Sequence, residues 1–251
     1  PDEKQQAYAE MFSPDRVFKD RKRNAKMFSY AGANLYRVFG EDWYQIWKKM
    51  MAGQLMQMGM NTLGNWSDQR LFENTPIPYV TSLPEFPETE KKIFRDFPDV
   101  LSDEYKENAK NNAKALAARK DDPMMIGYFL RNEPSWAFVD NLVLADEVLY
   151  NPERTVCKEK LIVALKEKYQ TVEALNTAWN TKFTDFDDLY QPIRDASAKS
   201  EAAKEDQKTF SKEMLRAYVE IPSKACREVD PNHMILGMRW AWISDPDLAT
   251  G

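Results

Sequence analysis

Residues 126–136 read IGYFLRNEPSW. The apolar run through Arg131 has the composition of a buried β-strand, and Asn132 and Glu133 stand at its end. A carboxylate is costly to bury, so a glutamate directly after a buried strand is expected to serve a purpose. Pro134 is typical of the first turn of a helix, where a carboxylate is favourable. Glu133 is therefore either a helix N-terminal residue or a functional group.

Strands and helices alternate on both sides of this stretch. Apolar and β-branched runs predict strands at residues 60–64, 77–83, 124–131 and 234–243. Apolar residues at spacings of three and four predict helices at residues 41–58 and 103–119, the second capped by Ser102 or Asp103. The alternation predicts an α/β fold with a parallel sheet. A TIM-type (β/α)8 barrel has about 250 residues, which fits the length, but it needs eight strands, which the pattern does not supply.

A long helical segment separates the last two predicted strands. Residues 137–229 predict a helical insertion within the domain. Its helices are expected near residues 137–149, 156–169, 172–179 and 207–229. The small, polar and charged residues at 195–208 predict either a solvated helix or a mobile linker.

The composition argues against several classes of function. The net charge is −5, and a mildly acidic chain is not expected to bind nucleic acid or an anionic membrane. Apolar residues make up 43% of the chain, yet no apolar run approaches the ~20 residues that cross a bilayer. Cys157, Cys226 and His233 cannot form a four-ligand zinc site. The cysteines are expected to be buried thiols rather than a disulfide, and His233 is expected in a turn.

Three of the predicted strands end in similar chemistry. Their exits carry amide, carboxylate, guanidinium and indole groups, namely Asn65, Trp66 and Asp68; Asn132, Glu133 and Trp136; and Arg239, Trp240 and Trp242. Functional groups collect at the carboxyl ends of strands in parallel α/β folds. Indole faces can cover the C–H face of a sugar while the polar groups bond its hydroxyls. Glu133 would then protonate a leaving glycosidic oxygen, in a partly apolar setting supplied by Phe129 and Trp136.

Each of these residues also has a purely structural explanation. Trp66, Trp136 and Trp240, taken singly, are more often core residues than sugar platforms. Arg239 would pair with a nearby carboxylate, and Asp68 would cap the next helix. The agreement of three strand exits favours the sugar-binding interpretation over these explanations.

The same residues carry a resemblance to a known family. The segments MGMNTLGNWSD, IPYVTSL, DDPMMIGYFLRNEPSW, LKEKYQTVEALNTAWNTKFTDFDDL and DPNHMILGMRW resemble successive blocks of the β-agarase-like glycoside hydrolases, family 50 and its relatives. The segment ANLYRVFGEDW resembles the stretch before their second strand. The similarity runs from about Phe28 to Trp240 and so covers most of the chain. This family belongs to a clan of retaining glycosidases built on a (β/α)8 barrel.

The resemblance implies a partial barrel. The four predicted strands would be strands two to five in a single domain over residues 1–251, with the insertion 137–229 after the fourth barrel strand. Strand one would precede the chain, and strands six to eight, with the nucleophilic glutamate, would follow Gly251. Glu133 maps to the acid/base of the clan. Asn132 maps to the residue that contacts the sugar hydroxyl beside the reacting carbon.

One position departs from the family pattern. Arg131 stands where the agarase-like sequences usually have an acidic residue, which implies a substrate that need not be agarose. A cation there would lower the pKa of a carboxyl group that it faces, although alternation along a strand turns it away from its neighbours. Asp68 and Asp245 are the remaining acids at strand exits, and the resemblance supports neither as nucleophile.

The sequence predicts a retaining O-glycoside hydrolase that acts on a β-linked galactoside or related saccharide and uses neither metal nor cofactor. The alternative is a non-catalytic, incomplete barrel that binds carbohydrate or serves as a structural or assembly unit. An open half-barrel exposes sheet edges and an apolar face, so association with itself or with the missing half is expected. A polysaccharide-degrading enzyme would be secreted or periplasmic, although the sequence itself does not indicate the compartment.

Overall fold

The computed structural model describes residues 12–20, 23–73 and 75–240, and the chain divides into two compact units, residues 1–79 and 80–251. The strands are β1 (Phe12–Asp20), β2 (Arg23–Phe28), β3 (Tyr79–Ser82), β4 (Lys92–Phe94), β5 (Phe97–Pro98), β6 (Met125–Phe129), β7 (Arg131–Asn132), β8 (Met234–Ile235) and β9 (Met238–Arg239). The α-helices are α1 (Tyr30–Phe39), α2 (Trp43–Gln57), α3 (Asp103–Ala113), α4 (Leu144–Tyr150), α5 (Val156–Tyr169), α6 (Val172–Trp179) and α7 (Glu201–Val229).

The first unit contains an antiparallel pair, β1 and β2, followed by helices α1 and α2. Helix α2 confirms the helix predicted at 41–58. The strand predicted at 60–64 is reduced to one parallel bridge, between Leu63 and Tyr79. Asn61 and Gly64 on either side of Leu63 are exposed and are poor strand formers, so the pairing does not extend.

The second unit contains a three-stranded sheet. Its strand order is β3-β6-β8, and β6 pairs with β8 in parallel, with Gly127 opposite Met234. A Cβ atom on Gly127 would lie 2.2 Å from the Met234 carbonyl oxygen, so the close approach of the two strands requires glycine. Strand β7 pairs with β9 in the same sense, with Asn132 opposite Arg239. These pairs confirm the predicted parallel arrangement.

Each of the two long strands predicted in this unit is split by a bend. The strand predicted at 124–131 becomes β6 and β7, and the strand predicted at 234–243 becomes β8 and β9, with residues 241–243 outside the described part of the chain. Gly237 occupies the bend with a φ of 79°, and its carbonyl oxygen accepts a hydrogen bond of 2.8 Å from the Leu130 amide. The hydrogen bonds between the two chain segments therefore continue across the bend, and β7 follows β6 beside the same neighbouring segment.

The predicted helical insertion contains α4, α5, α6 and α7. Helices α5 and α6 have the predicted bounds, whereas the first predicted helix divides into a 3-10 helix, Ser135–Phe138, and α4. Helix α7 begins at Glu201 rather than at residue 207. The expectation of a solvated segment at 195–208 is wrong for its second half, since Ala203, Asp206 and Gln207 are buried.

Asp206 explains that difference. It accepts hydrogen bonds from the Tyr169 hydroxyl at 2.7 Å and the Trp179 indole at 2.8 Å, and it pairs with Lys168. A charged residue that looks solvated in the sequence is thus a buried anchor of the helical segment, because its partners come from α5 and α6.

The Pro- and Phe-rich stretch after β3 is more ordered than a loop. It contains the antiparallel hairpin formed by β4 and β5, in which Phe94 lies opposite Phe97. Asn151 donates hydrogen bonds to the carbonyl oxygens of Lys92 at 2.7 Å and Ile93 at 3.2 Å. Phe97 is fully buried and stacks on Tyr218 with ring centroids 5.1 Å apart. The turn of this hairpin, residues 95–96, is therefore held in a fixed position.

The remaining expectations concern thiols, membranes and metals. Cys157 and Cys226 are free and buried, as predicted. In the described part of the chain, no helix combines the length and apolar character that spanning a bilayer requires. Within the same residues, no three side chains among His, Cys, Asp and Glu are grouped as metal ligands.

Candidate active site

Glu133 lies directly after β7, at the carboxyl end of a parallel strand pair. Its side chain is exposed, and its amide donates a hydrogen bond of 2.9 Å to the carbonyl oxygen of Arg239 at the end of β9. Its φ is 42°, in the left-handed region that few residues other than glycine adopt. The backbone at Glu133 is therefore both unusual and fixed to the neighbouring strand.

The same conformation occurs once more after an asparagine. Trp66 follows Asn65 and has a φ of 67°. A left-handed backbone at a residue with a Cβ atom costs on the order of 1–3 kcal/mol, and such residues concentrate at functional sites. The two Asn-led segments thus share a left-handed backbone conformation, which five other non-glycine residues in the described part of the chain also adopt.

The parallel pairing of β7 and β9 brings several predicted residues together. Asn132 lies opposite Arg239, and Trp240 follows directly. The Arg239 guanidinium lies 5.4 Å from the centroid of the Phe129 ring. The Asn132 side-chain oxygen is buried and accepts no hydrogen bond from the described residues. Asn132, Glu133 and Arg239 therefore lie together at the carboxyl ends of one parallel strand pair.

Trp136 lies in the core, which corrects the expectation that it is open to a sugar. It is 2% exposed and packs edge-to-face on Phe97 at 5.1 Å, on Tyr218 at 5.5 Å and on Trp240 at 5.6 Å between ring centroids. The short 3-10 helix after Pro134 turns Trp136 inward, where it can bury its large ring. Trp136 thus supports Trp240, which is half-buried, rather than enclosing the exposed Glu133.

Arg131 forms an ion pair with Asp96, a residue that the sequence patterns did not indicate. Its Nη2 donates to Asp96 Oδ2 at 2.5 Å, and its guanidinium lies 5.1 Å from the centroid of the Phe86 ring. Burial acts to raise the pKa of Asp96, but hydrogen bonds from Ser135 and Trp136 and the charge of Arg131 together hold it below the ordinary value. The expected effect of a cation at Arg131 is therefore found on Asp96.

Asp96 also binds the segment that follows Glu133. Its two oxygens accept hydrogen bonds from the Ser135 amide at 2.9 Å, the Ser135 hydroxyl at 2.6 Å and the Trp136 amide at 2.8 Å. The stretch KIFRDF, at residues 92–97, does not alternate apolar and charged residues strictly, so the sequence did not predict a hairpin there. No local pattern indicated which residues its turn would bind.

In the first unit, Asp68 has the capping role that was considered as the alternative. It begins the 3-10 helix Gln69–Leu71 and accepts a hydrogen bond of 3.1 Å from the Arg70 amide. The Arg70 side chain pairs with it at 2.6 Å, and this hydrogen bonding holds the pKa of Asp68 below its ordinary value. Trp66 is 69% exposed, and Asn65 is half-buried. Contact of these three residues with a sugar stays a prediction.

The other residues singled out by the sequence lie away from this edge or outside the described part. His233 is buried in the turn before β8, where its ring contacts Asp230 at 2.8 Å and the Asp122 carbonyl oxygen at 2.9 Å. The turn position predicted for His233 is confirmed. Trp242 and Asp245 lie outside the described residues.

The matching protein family and the matching curated proteins are all glycoside hydrolases. The family model for glycoside hydrolase 42, described as beta-galactosidase, matches residues 80–250. Beta-agarase B of Vibrio sp. (strain JT0107) is 27% identical over 245 residues, which cover 91% of this chain and 26% of that protein. Beta-agarase A of the same organism is 26% identical over 250 residues, covering 88% and 24%. The chain therefore spans about a quarter of the length of these curated relatives.

Solved agarase structures share the fold. The structure of PfGH50B superposes with a TM-score of 0.82 at 22% identity, over 97% of this chain and 37% of the other. The agarase AgWH50C gives a TM-score of 0.78 at 23% identity, over 96% and 36%. An exo-beta-agarase gives 0.76 at 24% identity, over 90% and 33%. From the match over residues 80–250 and these relatives, the chain belongs to the glycoside hydrolase 42 family and is a β-agarase-like glycoside hydrolase of α/β fold.

Proposed function

We propose that the protein containing this chain is a retaining O-glycoside hydrolase in which Glu133 is the general acid/base. One observation carries the proposal: Glu133 is exposed at the carboxyl end of β7, and its backbone is fixed to β9. Carboxyl ends of parallel strands are where this class of fold places its chemistry. Family membership supports the reaction type, since glycoside hydrolysis depends on paired carboxyl groups.

The chemistry proceeds in two steps. Protonated Glu133 donates its proton to the glycosidic oxygen as the C–O bond breaks, while a second carboxylate attacks the anomeric carbon and forms a glycosyl ester. Glu133, now ionised, then takes a proton from water, whose oxygen breaks the ester and releases the sugar. In a retaining enzyme the second carboxylate lies about 5–5.5 Å from the first. Asp68 is not assigned this role, because it is engaged by Arg70 as a helix cap.

Neighbouring polar groups would orient the sugar. Asn132, which the family resemblance maps to the residue that contacts the sugar hydroxyl beside the reacting carbon, is proposed to do so here. Arg239 and Trp240 follow on the adjacent strand and would contact the ring. Asn65, Trp66 and Asp68 are proposed as further sugar contacts.

The substrate class follows from the relatives. Two of them are named beta-agarases, and the matching family is described as beta-galactosidase. Both names point to β-linked galactose, so we propose a β-galactoside or a related galactan as substrate. We further propose that the strands predicted at 60–64, 77–83, 124–131 and 234–243 correspond to strands two to five of a barrel, in one domain with the helices of 137–229 inserted.

Hydrolysis assays with a matched control test this proposal. The wild-type protein, Glu133→Gln and Glu153→Gln are assayed on aryl β-galactosides and on agar oligosaccharides. Glu153 is an exposed glutamate of the helical segment and serves as the control. We expect Glu133→Gln to lower kcat by about 10²–10⁴-fold, the usual contribution of an acid/base, and Glu153→Gln to leave it unchanged. Saccharide binding without turnover in the wild-type protein would instead support the non-catalytic alternative.

The stereochemical course is tested separately. Proton NMR of the first product from an aryl β-galactoside should show the β-anomer, which later equilibrates with the α-anomer. An initial α-anomer would show inversion and would overturn the two-step mechanism while leaving hydrolysis itself intact.

A further inference from the structure

We infer that Asp96 is the positioning residue for Glu133: a single carboxylate in the turn of the β4–β5 hairpin binds the chain on both sides of the Asn-Glu pair. The inference rests on the proposed role of Glu133 and adds to it the group that fixes the acid in place. Asp96 does not touch the reacting atoms in this proposal. It acts through the backbone that carries Glu133.

The contacts of Asp96 bracket Glu133 in the sequence. On the side before it, Arg131 donates to Asp96 at 2.5 Å. On the side after it, the Ser135 amide and hydroxyl donate at 2.9 and 2.6 Å, and the Trp136 amide donates at 2.8 Å. Residues 132–134 are therefore a short bridge between two points bound to the same carboxylate.

The hairpin turn is itself anchored. Arg95, the neighbour of Asp96, donates from Nη1 to the Ser135 carbonyl oxygen at 3.0 Å. Phe97 on the other side of Asp96 is fully buried. The buried Phe97 fixes the hairpin turn to the core, so Asp96 resists a movement of residues 131–136.

The bridge is held in a strained form that needs such support. Glu133 has a φ of 42° and donates its amide to the Arg239 carbonyl oxygen at 2.9 Å. Left-handed backbone at such a residue persists only when surrounding contacts over-determine it. A general acid must come within about 2.6–3.2 Å of the oxygen that it protonates, so a small relaxation of this bridge would affect proton transfer before it affects sugar binding.

The test compares two substrates whose leaving groups differ in their need for a proton. The dinitrophenolate of a dinitrophenyl β-galactoside leaves without being protonated, whereas the alkoxide of an alkyl β-galactoside must be protonated to leave. Both substrates are assayed with wild type, Asp96→Asn, Glu133→Gln and Asp206→Asn. Asp206 is the matched control, a buried carboxylate that accepts three side-chain hydrogen bonds within the helical segment. Its loss should destabilise the fold without moving Glu133.

We expect Asp96→Asn to lower kcat/KM, which reports the first step of the reaction, by about 10–100-fold more for the alkyl galactoside than for the dinitrophenyl galactoside, as a misplaced acid would. Glu133→Gln should show the same selectivity more strongly, and Asp206→Asn should lower both rates equally or not at all. A defect in Asp96→Asn that is equal for both substrates, beside a selective defect in Glu133→Gln, would overturn the positioning inference alone. Loss of selectivity in Glu133→Gln as well would overturn the proposed function.

A second measurement does not depend on turnover. Amide hydrogen exchange should be faster at Glu133, Ser135 and Trp136 in Asp96→Asn than in wild type or Asp206→Asn, since Asp96 accepts the Ser135 and Trp136 amides directly and holds the chain on both sides of Glu133. Ser135→Ala, which removes one donor and keeps the charge of Asp96, should show a smaller change in the same direction and remains available if Asp96→Asn does not fold. An unchanged exchange rate at Glu133 in both variants would overturn the inference.

Discussion

Two Asn-led segments of this protein share a backbone conformation but differ in how they are held. Trp66 and Glu133 both follow an asparagine, and both have positive φ. Near Trp66, the carboxylate of Asp68 pairs with Arg70, two residues further along the chain. Beside Glu133, the pair is Asp96 with Arg131, 35 residues apart in the sequence.

The first ion pair joins residues that are close in the sequence, whereas the second joins distant segments of the fold. Asp68 and Arg70 stabilise the start of a short helix, and their side chains are 30% and 64% exposed. Asp96 and Arg131 are 21% and 15% exposed and join a hairpin, a strand end and a 3-10 helix. Screening by water weakens the first pair more than the second. The second segment is therefore expected to be rigid because of its long-range partners, and the first because of its neighbours.

The two tryptophans of these segments provide the strongest contrast. Trp136→Ala removes a buried ring and should lower the free energy of unfolding by about 3–5 kcal/mol. Trp66→Ala removes a ring that is 69% exposed and should change it by less than about 0.5 kcal/mol. Urea denaturation followed by circular dichroism measures both. A cost of Trp66→Ala near that of Trp136→Ala would contradict the local character of the first segment.

Gly127 and Gly64, which precede the two segments, differ in how closely other backbone atoms approach them. Gly127→Ala places a Cβ atom against the Met234 carbonyl oxygen and should cost about 3 kcal/mol, since the β6–β8 pair must separate. Gly64→Ala meets no atom within 4 Å and should be close to neutral. Thermal denaturation of the two variants decides this, and equal melting temperatures would show that the parallel pair tolerates separation.

Removing the carboxylates of Asp96 and Asp68 should change the free energy of unfolding by amounts that differ less. Asp96→Ala leaves Arg131 without its partner in a mostly buried position and should cost about 2–3 kcal/mol. Asp68→Ala removes a partly exposed helix cap and should cost under about 1 kcal/mol. Added salt should reduce the cost of Asp68→Ala but have less influence on Asp96→Ala. Equal costs at both salt concentrations would remove the distinction between the two pairs.

The dependence of stability on pH is the smallest expected effect. The pKa of Asp96 is held below its ordinary value of 3.8 in the folded chain. The stability that it contributes is therefore fully present above the unfolded pKa and is lost as the pH falls through the folded pKa. Between about pH 5 and pH 3, wild type should lose more stability than Asp96→Asn. Parallel losses in urea titrations of the two proteins would argue against a lowered pKa at Asp96.

Much of the helical structure was predictable because its signals are local. Helices α5 and α6 have the predicted bounds, and Ser102 caps α3 by accepting a hydrogen bond of 3.1 Å from the Tyr105 amide. A cap and an apolar stripe are set within one or two turns of chain, so the sequence contains them directly. The family resemblance was confirmed for the same reason, since it depends on the order of such segments.

The support of the candidate site was not predictable from the same patterns. The bend at Leu130 and Gly237 depends on pairing between strands about a hundred residues apart, and the burial of Trp136 depends on Phe97 and Tyr218. The role of Asp96 was not predicted because its hydrogen-bond partners lie 35 to 40 residues away in the sequence. Nothing in its own neighbourhood distinguishes it from an exposed turn residue.

By itself, the sequence determined that this chain alternates strands and helices, that polar residues follow the strands, and that Asn132 and Glu133 end one of them. These features depend on residue type and spacing, which sequence contains. Only the tertiary structure decided which neighbours hold Glu133, because a hydrogen bond depends on where distant segments meet. Asp96 and Arg131 are ordinary charged residues until the fold brings them within 2.5 Å of each other.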